Sequence, residues 1–199
     1  MPHTQGISRR VPVLMLGLLC TAVLIRASQA QAVDDTSGRT VARAVLRTCE
    51  SPATRVGTAY LQERPSAEGV KVVDVFVEIS RGLAPGTHAV HIHETGQCEP
   101  CAAAGGHFDP GPNGNSSPDG NHPFHTGDLI NIVIDERGRG TLSTTTSRIT
   151  LSAGPLSVFD RDGSALIVHV DPDTYCPDGP VTGCAGGARA ACGVIDIAP

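Results

Sequence analysis

Between Val70 and Ser80 the chain alternates strictly. Val73, Val75, Val77 and Ile79 fall on one side of an extended segment, and Asp74, Phe76 and Glu78 on the other. A period of two is the signature of a half-buried strand, because successive side chains leave opposite faces. Similar runs predict further strands over 40–47, 55–62, 87–94, 129–135, 139–145, 164–170 and 192–197, eight in all. No segment shows the apolar stripe of an amphipathic helix. The 23 glycines and 15 prolines fall mostly between the runs. This pattern predicts an all-β sandwich or barrel with Greek-key connections. Two connections, about 95–127 and 171–190, are long for a compact β domain. Such loops usually carry function or are tied down.

The N-terminus reads differently. Arg9 and Arg10 precede the apolar run Val11–Ile25, and the small residues of "RASQAQA" follow. This is the make-up of a secretory signal peptide, spanning 1–30, with cleavage after Ala30 or Ala32. The apolar run is shorter than the roughly 20 residues a spanning helix needs, so no membrane association is expected after cleavage. Residues 31–39 are expected to form a disordered lead, and 40–199 one domain. Removing 1–30 takes three of the 15 basic residues and none of the 20 acidic ones, leaving a net charge of −8 with His neutral. Such a surface argues against nucleic acid and anionic membrane as partners. Six cysteines remain, Cys49, Cys98, Cys101, Cys176, Cys184 and Cys192. An even number in an exported chain reads as up to three disulfides. The pair Cys98/Cys101 has zinc-thiolate spacing, but no second such pair exists to complete a tetrahedral site. Within the 171–190 loop a Cys176–Cys184 bridge is predicted, with Cys49 as a competing partner.

The segment "HAVHIHETGQC" holds the densest chemistry. His91 and His93 are two apart on a predicted strand, so they share a face roughly 6.5 Å apart along the backbone. Two imidazoles so placed can converge on one metal. His88 has the opposite parity, and a backbone hydrogen bond is its expected role. Further along come His107 in "GGHFDP", His122, His125 and Asp128 in "HPFHTGD", and His169 closing the apolar strand "ALIVH". Imidazoles with a carboxylate suit copper and zinc.

These pieces, with "DGSALIVHVDPD" and "GGARAACGVI", occur in an order that resembles the copper/zinc superoxide dismutases of the bacterial, exported type, over about residues 40–198. The resemblance implies an eight-stranded Greek-key β-barrel, an immunoglobulin-like sandwich with two long functional loops. It implies disproportionation of superoxide to dioxygen and hydrogen peroxide. His91, His93 and His169 match copper ligands, and His107 the imidazolate between copper and zinc. His125 and Asp128 match zinc ligands. Asp173 matches the carboxylate behind ligands of both metals, and Arg189 the arginine beside copper that guides the anionic substrate. His107 would also carry a proton when it leaves reduced copper. Cys192 matches one end of the family disulfide, with Cys98 favoured over Cys101 as its partner. The resemblance leaves homodimer and monomer both open, and periplasm and full secretion as destinations.

The chain departs from the family in two respects. The loop 171–190 is a few residues shorter than in typical eukaryotic members, and Cys176 and Cys184 sit inside it. A further zinc histidine is expected soon after the bridging one, but Asn115 and Ser116 stand there. His122 is the one candidate replacement, expected to supply the missing ligand. Two rival readings share these motifs: an exported copper-storage module without turnover, and a copper-only dismutase. Asp173 and Arg189 argue against the first, since storage needs neither. His107, His125 and Asp128 argue against the second.

Overall fold

In a computed structural model the described residues are 40–111, 114 and 116–198. The expected signal peptide, the lead at 31–39 and Asn115 lie outside them. The strands are β1 (Thr40–Thr48), β2 (Arg55–Pro65), β3 (Lys71–Ile79), β4 (Gly86–His88), β5 (Val90–His93), β6 (Ile132–Ile134), β7 (Gly140–Thr146), β8 (Ala165–His169) and β9 (Arg189–Ile197). All pairings between them are antiparallel. Seven form one sheet in the order β5-β8-β9-β1-β2-β3-β7, and β4 pairs with β6 in a small ribbon.

That ribbon links the two edges of the large sheet. β4 runs into the edge strand β5 through Ala89, and β6 turns into the other edge strand, β7, through residues 135–139. The second link is tight. Asp135 N–H donates to Arg139 O at 2.8 Å, and the Asp135 carboxylate accepts the N–H groups of Arg137 and Arg139 at 2.9 Å each. Gly138 takes φ +70°, a conformation that costs a residue with a Cβ. The result is a curled antiparallel sheet, the all-β barrel that the alternation predicts.

One predicted strand is two. The run 87–94 breaks at Ala89, whose N–H donates to Asp171 O and whose carbonyl accepts from His169 N–H, each at 2.9 Å. The chain changes sheets there without losing its backbone hydrogen bonds, so the alternation gives no sign of the break. A short 3-10 turn, Cys101–Ala104, also lies inside the first long loop.

The core follows the alternation. Val73, Val75, Val77 and Ile79 are buried, whereas Phe76 on the opposite face is 41% exposed. They pack in one cluster with Leu46, Leu61, Phe108, Ile132, Ile149, Leu151 and Leu166. Each such side chain contributes about 1.5–3 kcal/mol by leaving water. β5 and β8 are buried along their whole length. In β5, Val90 and Ile92 belong to this core, which leaves the other buried face to His91 and His93.

Candidate metal centre

Backbone pairing assembles the histidines. β5 and β8 are neighbours, with Val90 opposite Val168. This sets His91 and His93 beside His169 at the end of β8. Isolated bridges then pair His93 with His107 and His91 with Asp128. Ile92 is clasped by two loop segments. Its N–H donates to Gly127 O, and its carbonyl accepts from Phe108 N–H, at 2.9 Å each. Gly127 N–H completes the triangle on Phe108 O at 2.8 Å. A Cβ on Gly127 would stand 2.3 Å from Ile92 O, so only glycine allows this approach. Two segments of the first long loop thus lie against β5, and their side chains converge on those of the strands.

Two donor groups result. Ligand atoms of His91, His93, His107 and His169 all lie within 4.8 Å of one another, and so do those of His91, His107, His122 and Asp128. All six residues are buried. His125 adjoins the second group, with Nδ1 3.0 Å from Asp128 Oδ2.

The second nitrogen of most rings is tied down. Nδ1–H of His93 donates to Gly105 O and Nδ1–H of His169 to Gly187 O, both at 3.0 Å. Their Nε2 atoms then face each other at 3.3 Å. Nε2–H of His125 donates to Gly120 O at 2.9 Å. Asp173 holds two rings at once: it accepts from His91 Nε2 at 3.1 Å and from His122 Nε2 at 2.8 Å. Such outer partners fix a ring's tautomer and aim its other nitrogen. His91 Nδ1 and His107 Nε2 are left buried with no hydrogen-bond partner, and His122 Nδ1 faces Asp128 Oδ2 at 3.1 Å. Unpartnered buried polar atoms are costly and rare. Two in one pocket, both imidazole nitrogens, with a third set against a carboxylate, match the donor set of a copper or zinc ion.

The charges are arranged accordingly. Burial holds His107 down to about 4 and His169 to about 3, and puts His93 well below its ordinary value, with neighbouring rings adding to the effect. These rings are neutral donors at pH 7. Burial would also lower His122, but Asp128 and Asp173 outweigh it and raise the ring to about 9. Burial would raise the two carboxyls, yet hydrogen bonds from the histidines hold both well below their usual range.

Arg189 opens β9, half-buried, and its guanidinium donates to the carbonyls of Cys101 and Gly105. Burial lowers its pKa, but an arginine so placed stays a cation. Three disulfides are present among the described residues: Cys98–Cys192, Cys49–Cys101 and Cys176–Cys184. Cys49 therefore pairs with Cys101 and does not compete for the 171–190 loop. His88 stands apart from the cluster, with Nδ1 2.8 Å from His169 O and Nε2 2.9 Å from Ala84 O.

Sequence reasoning missed two supports. The Arg148 guanidinium donates to the carbonyls of Pro123, His125 and Asp128 at 3.2, 3.0 and 2.5 Å. Asn131 clasps the Asp173 backbone, its Nδ2 donating to Asp173 O at 2.9 Å and its Oδ1 accepting Asp173 N–H at 2.8 Å. Neither sits in a motif, and both act on backbone from a distance in sequence, so no spacing marks them.

The likeness to known proteins runs through these residues. A family model described as copper/zinc superoxide dismutase (SODC) matches residues 55–195. A Cu-Zn superoxide dismutase of Deinococcus radiodurans is 38% identical over 155 residues, 70% of this chain and 76% of the relative. One of Brassica juncea is 36% identical over 148 residues, 66% of this chain and 93% of the relative. Among solved structures, the clock protein EA4 superposes with a TM-score of 0.57 at 31% identity, covering 82% of this chain and 98% of that one. An SOD-like protein from Bacillus subtilis gives 0.58 at 27% identity, covering 76% and 96%. With the family match extending from β2 into β9 and across both long loops, the chain belongs to the copper/zinc superoxide dismutases, oxidoreductases that act on superoxide with copper and zinc as cofactors.

Proposed function

We propose that His91, His93, His107 and His169 hold copper, that His107, His122, His125 and Asp128 hold zinc, and that superoxide is dismuted at the copper side. The observation that carries this reading is the pair of orphaned nitrogens, His91 Nδ1 and His107 Nε2, with His122 Nδ1 set against Asp128 Oδ2 at 3.1 Å. His125 adds to it. Its Nε2–H is spent on Gly120 O, so a neutral ring offers only a lone pair from Nδ1 toward Asp128. A cation between the two relieves that opposition. His122 fits the position of the missing family histidine because it shares the Asp173 carboxylate with His91.

Copper in such a site supplies one-electron chemistry in both directions, and imidazole donors suit it. The protein's part is positional. The carbonyls of Gly105 and Gly187 keep His93 and His169 as Nε2 donors. Asp128 orients His107 through Nδ1, 2.7 Å from Oδ1, leaving Nε2 as the atom that takes up and hands on a proton. Arg189 offers a fixed positive charge beside the cluster. A local cation in a low-dielectric recess can draw in an anion although the whole chain is acidic. A copper-storage module finds no support among the relatives, which are named as dismutases.

Two measurements test the reading. Superoxide decay followed by pulse radiolysis is expected to accelerate catalytically with the metal-loaded, oxidised protein; stoichiometric copper without turnover would overturn the activity. In chelator competition His122→Ala is expected to weaken zinc by at least about 100-fold, beyond what loss of an outer partner costs. Unchanged zinc affinity would remove His122 from the ligand set. Export through residues 1–30 belongs to the same proposal, and the N-terminus of the mature chain is expected at Gln31 or Val33. No helix among the described residues is long and apolar enough to cross a membrane.

A further inference from the structure

The zinc-side histidine His122 and the shared carboxylate Asp173 both lie on turns outside the strands. They meet through His122 Nε2, 2.8 Å from each oxygen of Asp173. A second tie joins the same two turns. Asp119, three residues before His122, accepts Gly183 N–H on Oδ2 at 2.9 Å and Ala185 N–H on Oδ1 at 3.1 Å. Ala185 is itself the bridge partner of Asp173, and next to it Thr174 N–H donates to Cys184 O at 2.9 Å. One carboxylate therefore grips the segment that pairs directly with Asp173.

The turn so gripped needs holding. Tyr175 and Cys176 have φ of 62° and 45°. This left-handed region is disfavoured for residues with a Cβ and persists only where surroundings over-determine it. Tyr175 N–H ends on Asp173 Oδ1 at 2.6 Å, so the strained pair feeds straight into the carboxylate that aims His91 and His122. The Cys176–Cys184 bridge closes this turn, and Asp119 fastens its far end to the His122 segment.

We propose that Asp119 is a positioning residue for the zinc site, strapping the turn that bears His122 to the turn that bears Asp173. The proposal rests on the reading of His122 as a zinc ligand. Asp119 touches neither metal nor substrate; it fixes where two other side chains meet. A chain that brings its zinc histidine from the 117–123 turn must hold that turn in register with Asp173, and this carboxylate does so.

The test is zinc affinity of the oxidised, copper-loaded protein by chelator competition, for Asp119→Ala, Asp119→Asn, His122→Ala and the Asp119→Ala/His122→Ala double variant. Asp119→Ala is expected to weaken zinc about 10–100-fold, the range for lost outer-shell partners, with copper affinity unchanged. Asp119→Asn, whose amide has one accepting oxygen, is expected to fall between Asp119→Ala and the parent. The double variant is expected to match His122→Ala alone, since a strap has nothing to position once the ring is gone. Asp119→Ala at parental zinc affinity, with His122→Ala weakened, would overturn the strap and leave the ligand reading intact. Additive losses in the double variant would also overturn it, because they would mark general loosening. His122→Ala at parental affinity would overturn the ligand reading, and the strap with it.

Discussion

The two halves of the metal cluster are built differently. On the proposed copper side, three of the four rings come from paired strands: His91 and His93 from β5, His169 from β8. Strand geometry fixes their spacing, and the barrel core fixes the strands. On the zinc side, His122, His125 and Asp128 come from turns. Their places depend on side chains reaching back to the backbone, Arg148 and Asp119 foremost. A strand-borne site inherits its precision from the fold, whereas a loop-borne site must be fastened piece by piece. The copper side should therefore fail through its ligands, and the zinc side also through its fastenings.

The sharpest break is His169→Ala. It is expected to lower copper affinity and to cut superoxide turnover at least about 1,000-fold, a loss of about 4 kcal/mol in barrier stabilisation. Zinc content and secondary structure are expected to stay parental. Pulse radiolysis with metal analysis checks this; zinc lost along with copper would mean that the halves are not separable. Arg189→Ala is expected to leave both metals bound and to lower the rate about 10-fold, with a weaker salt dependence, since a screened local cation no longer steers the anion. An unchanged salt slope would place the steering elsewhere. Arg148→Ala is expected to weaken zinc about 10-fold and leave copper untouched. Arg148→Lys should not restore it, because an ammonium cannot fork to three carbonyls from fixed directions. Full rescue by lysine would show that charge alone, and not the planar fork, holds the turn.

The same division decides what the sequence discloses. The period-two runs give the barrel, and the spacing of His91 and His93 gives a shared face, because both follow from one strand's geometry. The break at Ala89 escapes, since changing sheets costs no alternation when both carbonyl and amide keep partners. On the loop side, residue identity names His107, His125 and Asp128 through the family resemblance, but position does not follow from it. His122 can be put forward by elimination alone, as the one histidine left over. What settles its surroundings is Asp173, fifty-one residues away in sequence. Arg148 and Asn131 escape altogether, because an arginine or asparagine that serves distant backbone looks like any surface polar residue.

Gly105 carries a consequence of another kind. Its single carbonyl oxygen accepts both His93 Nδ1–H and the Arg189 guanidinium. A carbonyl has two lone pairs, so this oxygen is fully committed. At φ +72°, and with a Cβ that would come within 2.6 Å of Glu94 Oε1, the residue itself has no ready substitute. The proposed copper ligand His93 and the proposed anion guide Arg189 thus share one anchor. On this reading metal grip cannot be retuned at Gly105 without also retuning substrate capture, and variation in this loop should spare both the anchor and Gly106, whose Cβ would stand 1.9 Å from Ser116 O.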